Sequence, residues 1–286
     1  MRTWVYCGGL WSPWVRFEDD LGIRRARGIL EVLEARTGKE TVLFHWEDHL
    51  KRLEKAYKRH PSINSDALPS GEEIKKKAKK LLSAGPADAL VWITVTAGSS
   101  RDHKKPIGKP KLILDITPFP VISESPLKLK TINARREFPE IKLTAGYGYA
   151  DFYQAEAESA GYDSFLYWSP WDGIAEGPFE NVFFITKDEI LVTPQNGILR
   201  GITRQVVLEL AREPGLFKSV EERNQIHLGM LSGFDEAFVT STTKWVHPVA
   251  LIDGYSHLKT GPDTKTALLR ERFLAYRENY YKERGA

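Results

Sequence analysis

ENVFFITKDEILVTPQNGILRGITR, Glu180 to Arg204, is the stretch on which the reading of the fold turns. It reads as two short strands, a glycine-containing loop and a helix that begins at Gly201-Ile202-Thr203-Arg204. The first amides of a helix have no partners within it and carry the positive end of its dipole, so they suit an anion such as a phosphate. Gly201 would let the backbone come close, and Thr203 would add a hydroxyl. The other reading is ordinary capping, because Thr is common at a helix start. From these four residues alone both readings stand.

Outward from that stretch, the chain has 286 residues, 42% of them hydrophobic, enough for one large domain or two modest ones. A formal charge of +3, with acidic and basic residues mixed, offers no concentrated cationic surface for nucleic acid. The densest basic run, Lys75 to Lys80, lies in a helical pattern and reads as a solvated helix face. Cys7 is the single cysteine, which excludes an internal disulfide or a cysteine-based metal site and fits a reducing compartment. There is no signal-like apolar region at the start and no long apolar run. A soluble, cytoplasmic protein with neither membrane nor nucleic acid as partner is expected.

Strand character marks 2 to 7, 29 to 35, 42 to 44, 89 to 96 and 111 to 117. Helical spacing marks the segment from His49 and the one from Ser70, a candidate N-cap, to Leu82. Residues 117 to 126 hold three prolines in ten positions and read as an extended connector. The expected division is a small domain over 1–117, a connector over 118–126 and a large domain over 127–286. In the large domain the pattern predicts a strand near 128 to 133 and a helix from about 148 to 160. Strands follow near 164 to 168, 180 to 186 and 189 to 193, with helices from 203 and 224. A strand pair flanks Ser241 to His247, and a charged helix closes the chain.

Three further places carry chemical potential, each with a plain alternative. Thr240-Ser241-Thr242-Thr243 follows an apolar strand and is either an anion-binding turn or a polar turn bonded to its own backbone. Glu176, beside Gly177-Pro178, is a solvated turn residue unless something cationic meets it. Lys142, among apolar and small residues, would be a nucleophile for an aldehyde if desolvated, and otherwise lies on the surface. His49 and His247 read as packing residues, and no His, Asp and Glu spacing argues for a metal.

The order of these pieces is more specific than any one of them. Lys142, Tyr147 five residues later, Glu176-Gly177, Asn181-Val182-Phe183, Leu199-x-Gly201-Ile202-Thr203-Arg204 and Ser241-Thr242-Thr243 form one succession. Arg27-Gly28-Ile29-Leu30-Glu31-Val32 and His49-Leu50-Lys51-Arg52-Leu53 precede it. The set resembles the fold-type IV, or class IV, pyridoxal-phosphate aminotransferases, over about Arg27 to Pro248. That family includes branched-chain and D-amino acid aminotransferases and aminodeoxychorismate lyase.

The resemblance implies a homodimer of mixed α/β class, with a small α/β domain and a larger domain wrapped as a pseudobarrel. It implies ping-pong transfer of an amino group between an amino acid and a 2-oxo acid on pyridoxal 5'-phosphate. Lys142 would be the Schiff-base lysine and proton shuttle. Glu176 would face the pyridine nitrogen, and Tyr147 the ring hydroxyl. Arg52, Gly201, Ile202, Thr203, Ser241 and Thr242 would hold the phosphate, and Leu199 would pack on the ring.

For the substrate the pattern is mixed. Arg101 and His103 look like the carboxylate-binding pair of the D-amino acid enzymes, allowing one deletion upstream, and Ser241-Thr242-Thr243 is nearer that subgroup. Leu30 stands where those enzymes carry a Tyr, and the Lys142-to-Tyr147 spacing looks more like the branched-chain enzymes. Leu30, Arg101, His103 and Thr243 are thus the candidate substrate residues. A D-amino acid or a small or branched-chain amino acid is expected, with a lyase as the alternative. Lys244-Trp245 is bulkier and more basic than either subgroup leads one to expect.

Overall fold

A computed structural model gives the structure, which describes residues 2–13 and 18–286. In chain order its elements are β1 (Arg2–Cys7), β2 (Leu10–Ser12), α1 (Leu21–Arg25), β3 (Gly28–Thr37), β4 (Thr41–Leu43), α2 (Trp46–Arg59), α3 (Gly71–Leu82), β5 (Asp88–Thr96) and β6 (Lys111–Pro118). There follow β7 (Leu127–Asn133), α4 (Thr144–Ser159), β8 (Ser164–Ser169), β9 (Gly173–Ile174), β10 (Asn181–Thr186), β11 (Ile190–Pro194) and α5 (Ile202–Ala211). The chain ends with β12 (Ser219–Arg223), β13 (Phe234–Ser241), β14 (Trp245–Ile252), β15 (Ser256–His257) and α6 (Lys265–Glu283). The mixed α/β class is borne out, with one sheet in each of two compact units.

The first unit comprises Met1–Pro120, Ile141–Gly146 and Asn279–Ala286, and the second Val121–Glu140 and Tyr147–Glu278. Two short segments beyond residue 127 thus belong with the N-terminal part. A single connector over 118–126 would have given them to the other.

The first unit is built on a six-stranded sheet in the order β2-β1-β6-β5-β3-β4. β3, next to the edge strand, is its longest strand: it pairs antiparallel with β5 from Gly28↔Thr96 to Arg36↔Asp88, and with β4 on its other side. Residues 28–35 are buried except Leu30, so both faces of this strand are covered. Helix α2 lays Trp46, His49, Leu53, Ala56 and Tyr57 inward at helical spacing, with Glu47 and Asp48 in its first turn and Lys58 and Arg59 in its last. Ser70 caps α3 as its position predicts, its hydroxyl accepting from Glu73 N–H at 3.2 Å.

A carboxylate inside an apolar strand needs partners, and Glu31 takes them from α2. Arg52 donates from Nε to Oε1 and from Nη2 to Oε2, each at 2.7 Å, while His49 Nδ1 lies 2.9 Å from Oε2. Glu31 is 1% exposed. Burial would raise its pKa, but the Arg52 guanidinium and His49 outweigh burial and hold it at about 2. Burial pushes His49 below its ordinary value, so the ring is neutral at pH 7, and facing an acceptor-only carboxylate its Nδ1 carries the proton. This arrangement fixes the rotation of α2 on the sheet.

The second unit carries a nine-stranded sheet along β12-β11-β10-β13-β14-β7-β8-β9, with β15 paired to β14. Its middle is apolar and aromatic: Phe183 and Phe238 are cross-strand partners whose rings stack at 4.8 Å. One expected element is corrected. The helix predicted from 224 does not form; β12 ends at Arg223, an extended stretch follows, and only a 3-10 turn runs over Leu228–Gly233. The reason is tertiary, since the carbonyls of Arg223 and Ile226 accept from Gln195 and Ile174 N–H at 2.8 Å, which pulls the backbone out straight. Helix α4 also starts at Thr144, four residues before the expected 148.

Two measurements check this account. Glu31 titrates at about 2 in the fold and near 4.5 when unfolded, so its stabilisation is complete above pH 4.5 and is lost as pH falls through 2. Between about pH 5 and pH 3 it removes about 2 kcal/mol, and urea midpoints for Glu31→Gln should slope correspondingly less than those for the natural chain. Equal slopes would refute the assignment. At Gly98, where φ is +78 and an added Cβ would stand 1.9 Å from the Lys109 carbonyl oxygen, Gly98→Ala should destabilise by roughly 2 kcal/mol or more in the same assay.

Candidate active site

In the second unit the site grows from a second buried carboxylate. Glu176, 2% exposed, stands just after β9 at a bend closed by a bridge between Glu176 and Asn181. Its Oε1 accepts from Arg136 Nη1 at 3.0 Å. Its Oε2 accepts from Asn181 Nδ2 at 3.0 Å and from the Leu199 amide at 2.9 Å. The cationic partner that the sequence reading required is therefore Arg136. Burial opposes the charge of that guanidinium, yet Glu176, with Tyr147 and Tyr167, raises its pKa above the ordinary value. Arg136 also donates to the Pro178 carbonyl and lies 5.7 Å from the centre of the Tyr147 ring. Tyr147 in turn stacks on Phe179 at 5.6 Å.

Asn181 links this carboxylate to the helix entrance. Its Nδ2 also donates to the Leu199 carbonyl at 2.8 Å, and a Cβ on Gly201 would sit 2.4 Å from its Oδ1. Only glycine at 201 permits that approach. Gly201 is the N-cap of α5 and gives its amides no side-chain cap, so Ile202 and Thr203 open the helix with backbone donors. Arg204, the last residue of the same run, turns away: it is buried, with Nη2 bonded to the Pro194 carbonyl at 3.0 Å and to Glu222 at 2.9 Å. It braces the helix against β11 and β12.

Across the sheet Asn181 is paired with Thr240, and the hairpin turn from Ser241 to Trp245 follows directly. The hydroxyls of Thr240 and Ser241 are buried and meet no hydrogen-bond partner among the described residues. Unsatisfied donors beside an uncapped helix start fit the oxygens of a phosphate. Thr242 and Thr243 are half-buried in the turn. The turn is held by Lys244, which forms an ion pair with the buried Glu180. Trp245 adopts a left-handed φ of +54 and lies under the Arg277 guanidinium at 4.7 Å. Lys244 and Trp245 thus have structural partners for their unusual size and charge.

In the first unit Lys142 is half-buried just before α4, and its carbonyl accepts from the Leu30 amide at 2.9 Å. Leu143 bridges to Ile29, and Thr144 Oγ1 donates to the Ala26 carbonyl at 2.9 Å. The lysine's backbone is therefore fastened to β3, whose next residue is Glu31, the partner of Arg52. Leu30, Lys142 and the Glu31–Arg52 pair form one group on that strand. Arg101 and His103 lie apart from it, exposed on the loop between β5 and β6, His103 with φ +55. The loop is shaped by Asp102, whose carboxylate accepts from Ser100 Oγ and from the amides of Lys104 and Lys105.

Arg136, Asn181 and Glu31 escaped the sequence reading as functional positions. Asn181 lies inside the opening stretch and in the Asn181-Val182-Phe183 motif, where local pattern marks only the start of a strand. Glu31 sits in a strand covered on both faces, where alternation places nothing. Arg136 had only its proximity to Lys142 as a signal.

A family model described as amino-transferase class IV matches residues 28–252. A putative branched-chain-amino-acid aminotransferase of Methanocaldococcus jannaschii is 30% identical over 274 residues, 91% of each chain. A D-alanine aminotransferase of Bacillus licheniformis is 29% identical over 249 residues, 82% of each. Among solved structures, the branched-chain aminotransferase of Thermoproteus uzoniensis with norvaline superposes with a TM-score of 0.83 over 98% of this chain and 97% of that one, at 23% identity, a likeness of fold. The branched-chain amino acid aminotransferase of Thermobaculum terrenum in its PLP form superposes at 0.81, covering 98% and 94%, at 26% identity. No helix among the described residues is long and apolar enough to cross a membrane. A family model spanning most of the chain and a relative 30% identical along nearly its whole length agree with this fold, and the chain belongs to the class IV aminotransferases.

Proposed function

We propose that this aminotransferase binds pyridoxal 5'-phosphate and moves an amino group between a small or branched aliphatic amino acid and a 2-oxo acid, as a homodimer in a reducing cytoplasm. The observation that carries the reading is the Glu176–Asn181–Leu199 network beside the uncapped start of α5 and the unpartnered Thr240 and Ser241 hydroxyls. When bound, the cofactor supplies an aldehyde carbon for the amino group and a ring that withdraws electrons.

The chain's residues supply the rest. Lys142 Nζ would be the amine that meets the aldehyde and, when free, the base that accepts a proton from the substrate's α-carbon. Glu176 keeps a fixed negative charge where a ring nitrogen would be protonated, and Arg136 and Asn181 hold that carboxylate in place. Tyr147 would donate to a ring oxygen, and Leu199 would cover a ring face. The Ile202 and Thr203 amides, the Ser241 and Thr242 hydroxyls and Arg52 would bind the phosphate. Leu30 and Thr243 would shape the side-chain pocket, and Arg101 with His103, exposed and apart from Lys142, would take the substrate carboxylate from a second copy of the chain in the homodimer.

The relatives include a putative branched-chain and a D-alanine aminotransferase, which supports a short aliphatic substrate of either chirality. Bleaching of the protein's visible absorption on adding L-leucine or D-alanine separately reads out the choice; if no amino acid bleaches it, transamination of this class of substrate is refuted. Lys142→Ala should abolish that absorption and lower turnover by at least ~10³-fold. Glu176→Gln keeps the volume and one acceptor but removes the charge, and should cut kcat by ~10²-fold while the cofactor remains bound. A Gln variant as fast as the natural chain would remove Glu176 from the mechanism.

A further inference from the structure

The last residues of the chain return to the first unit and close over the start of α2. Helix α2 has an unusual N-cap: His45 is left-handed, with φ +47, and makes no side-chain cap. The His45 N–H donates instead to the Tyr280 hydroxyl at 3.1 Å, and the two rings stack at 4.9 Å. Phe44 meets Tyr280 edge-on at 4.8 Å and Tyr281 at 5.6 Å. Tyr281 is fully buried under the Arg36 guanidinium of β3, 4.5 Å from its ring centre. Arg284 covers the outer face of Tyr280 at 3.7 Å. The Glu40 amide, in the turn between β3 and β4, donates to the Gly285 carbonyl at 2.8 Å.

These contacts have one mechanical target. A left-handed, non-glycine residue at a helix entrance costs of order 1 kcal/mol or more and persists only where its surroundings hold it. Here two groups hold it: Asp48 of the first turn, whose carboxylate lies 2.8 Å from His45 Nδ1, and, from outside the helix, Tyr280. One turn further along the same helix presents His49, and two turns along Arg52, to Glu31. Glu31 sets the plane of the Arg52 fork and the rotation of α2, while the point along β3 at which the fork is held depends on where α2 begins.

We propose that Tyr280 is a positioning residue for cofactor binding: the segment Asn279–Ala286 acts as a strap that fixes the first turns of α2 and so holds Arg52 ready for a phosphate. The inference rests on the reading of Arg52 as a phosphate ligand. It differs from a merely stabilising role, because loosening the strap changes the grip on the cofactor before it changes the integrity of the fold.

The test uses the full chain, stripped of cofactor and titrated with pyridoxal 5'-phosphate, and compares Tyr280→Phe, Tyr280→Leu and Arg52→Gln. Tyr280→Leu removes both the hydrogen bond and the ring stack and should weaken cofactor binding by roughly tenfold, the order of effect produced by partners that stand behind a ligating group. Tyr280→Phe keeps the rings and should recover most of that loss. In the cofactor-free protein, hydrogen exchange at the amides of Trp46 to His49 should quicken in the same order, with thermal midpoints little changed. If Tyr280→Leu does not fold, Tyr280→Phe with the exchange measurement carries the test. Arg52→Gln separates the two levels. Weakened binding in Arg52→Gln with Tyr280 variants that bind like the natural chain would overturn the strap alone. An Arg52→Gln variant that binds like the natural chain would overturn the phosphate reading and the strap with it. Faster exchange in α2 without any change in binding would also overturn the proposal.

Discussion

A carboxylate taken out of water must be given back its hydrogen bonds and a countercharge, or it will take up a proton. Glu176 is the place where that constraint organises the second unit. Three donors converge on it, and each comes from a different part of the chain: Arg136 from the loop after β7, Asn181 from the start of β10, and the Leu199 amide from the approach to α5. Satisfying this one group therefore fixes three segments at once. The same Asn181 excludes any side chain at 201, which leaves the start of α5 bare of a cap and open to an anion. The network thereby joins a buried carboxylate to a cluster of donors.

The first unit repeats the logic with a different outcome. Glu31 is as deeply buried as Glu176, but its partners, Arg52 and His49, lie on a single helix. The carboxylate occupies two donors of the Arg52 guanidinium, which sets the plane and direction of the fork. Lys142, fastened by its backbone to the neighbouring position of β3, takes its place from the same strand. A strand paired along most of its length and covered on both faces is a stiff support, and a flexible lysine gains most from one.

Elsewhere, unusual residues found structural explanations. Lys244 neutralises the buried Glu180, and Trp245 is stacked beneath Arg277, so the turn that follows β13 is braced from two sides. A turn held in this way keeps the orientation of the hydroxyls that precede it. The 3-10 turn at Leu228–Gly233 and the extended stretch before it show the opposite influence, where backbone hydrogen bonds to β9 and β11 defeat a local helical pattern.

The sequence by itself determined the elements whose signals are local. Ser70 caps α3, the apolar runs become β5 and β6, and α2 buries the face its spacing picks out, because a cap or a periodic stripe is encoded within a few neighbouring residues. The ordered motifs also named the family, since their succession along the chain is itself linear information, and they nominated Lys142, Glu176 and the Gly201 helix start for its site. Tertiary structure decided what depends on encounters between distant segments. It assigned Arg136 to Glu176 across 40 positions and the hydroxyl of Tyr280 to the amide of His45 across 235. It also moved Ile141–Gly146 and Asn279–Ala286 into the first unit. A buried charge specifies that a partner must exist, but only the folded chain specifies which one reaches it.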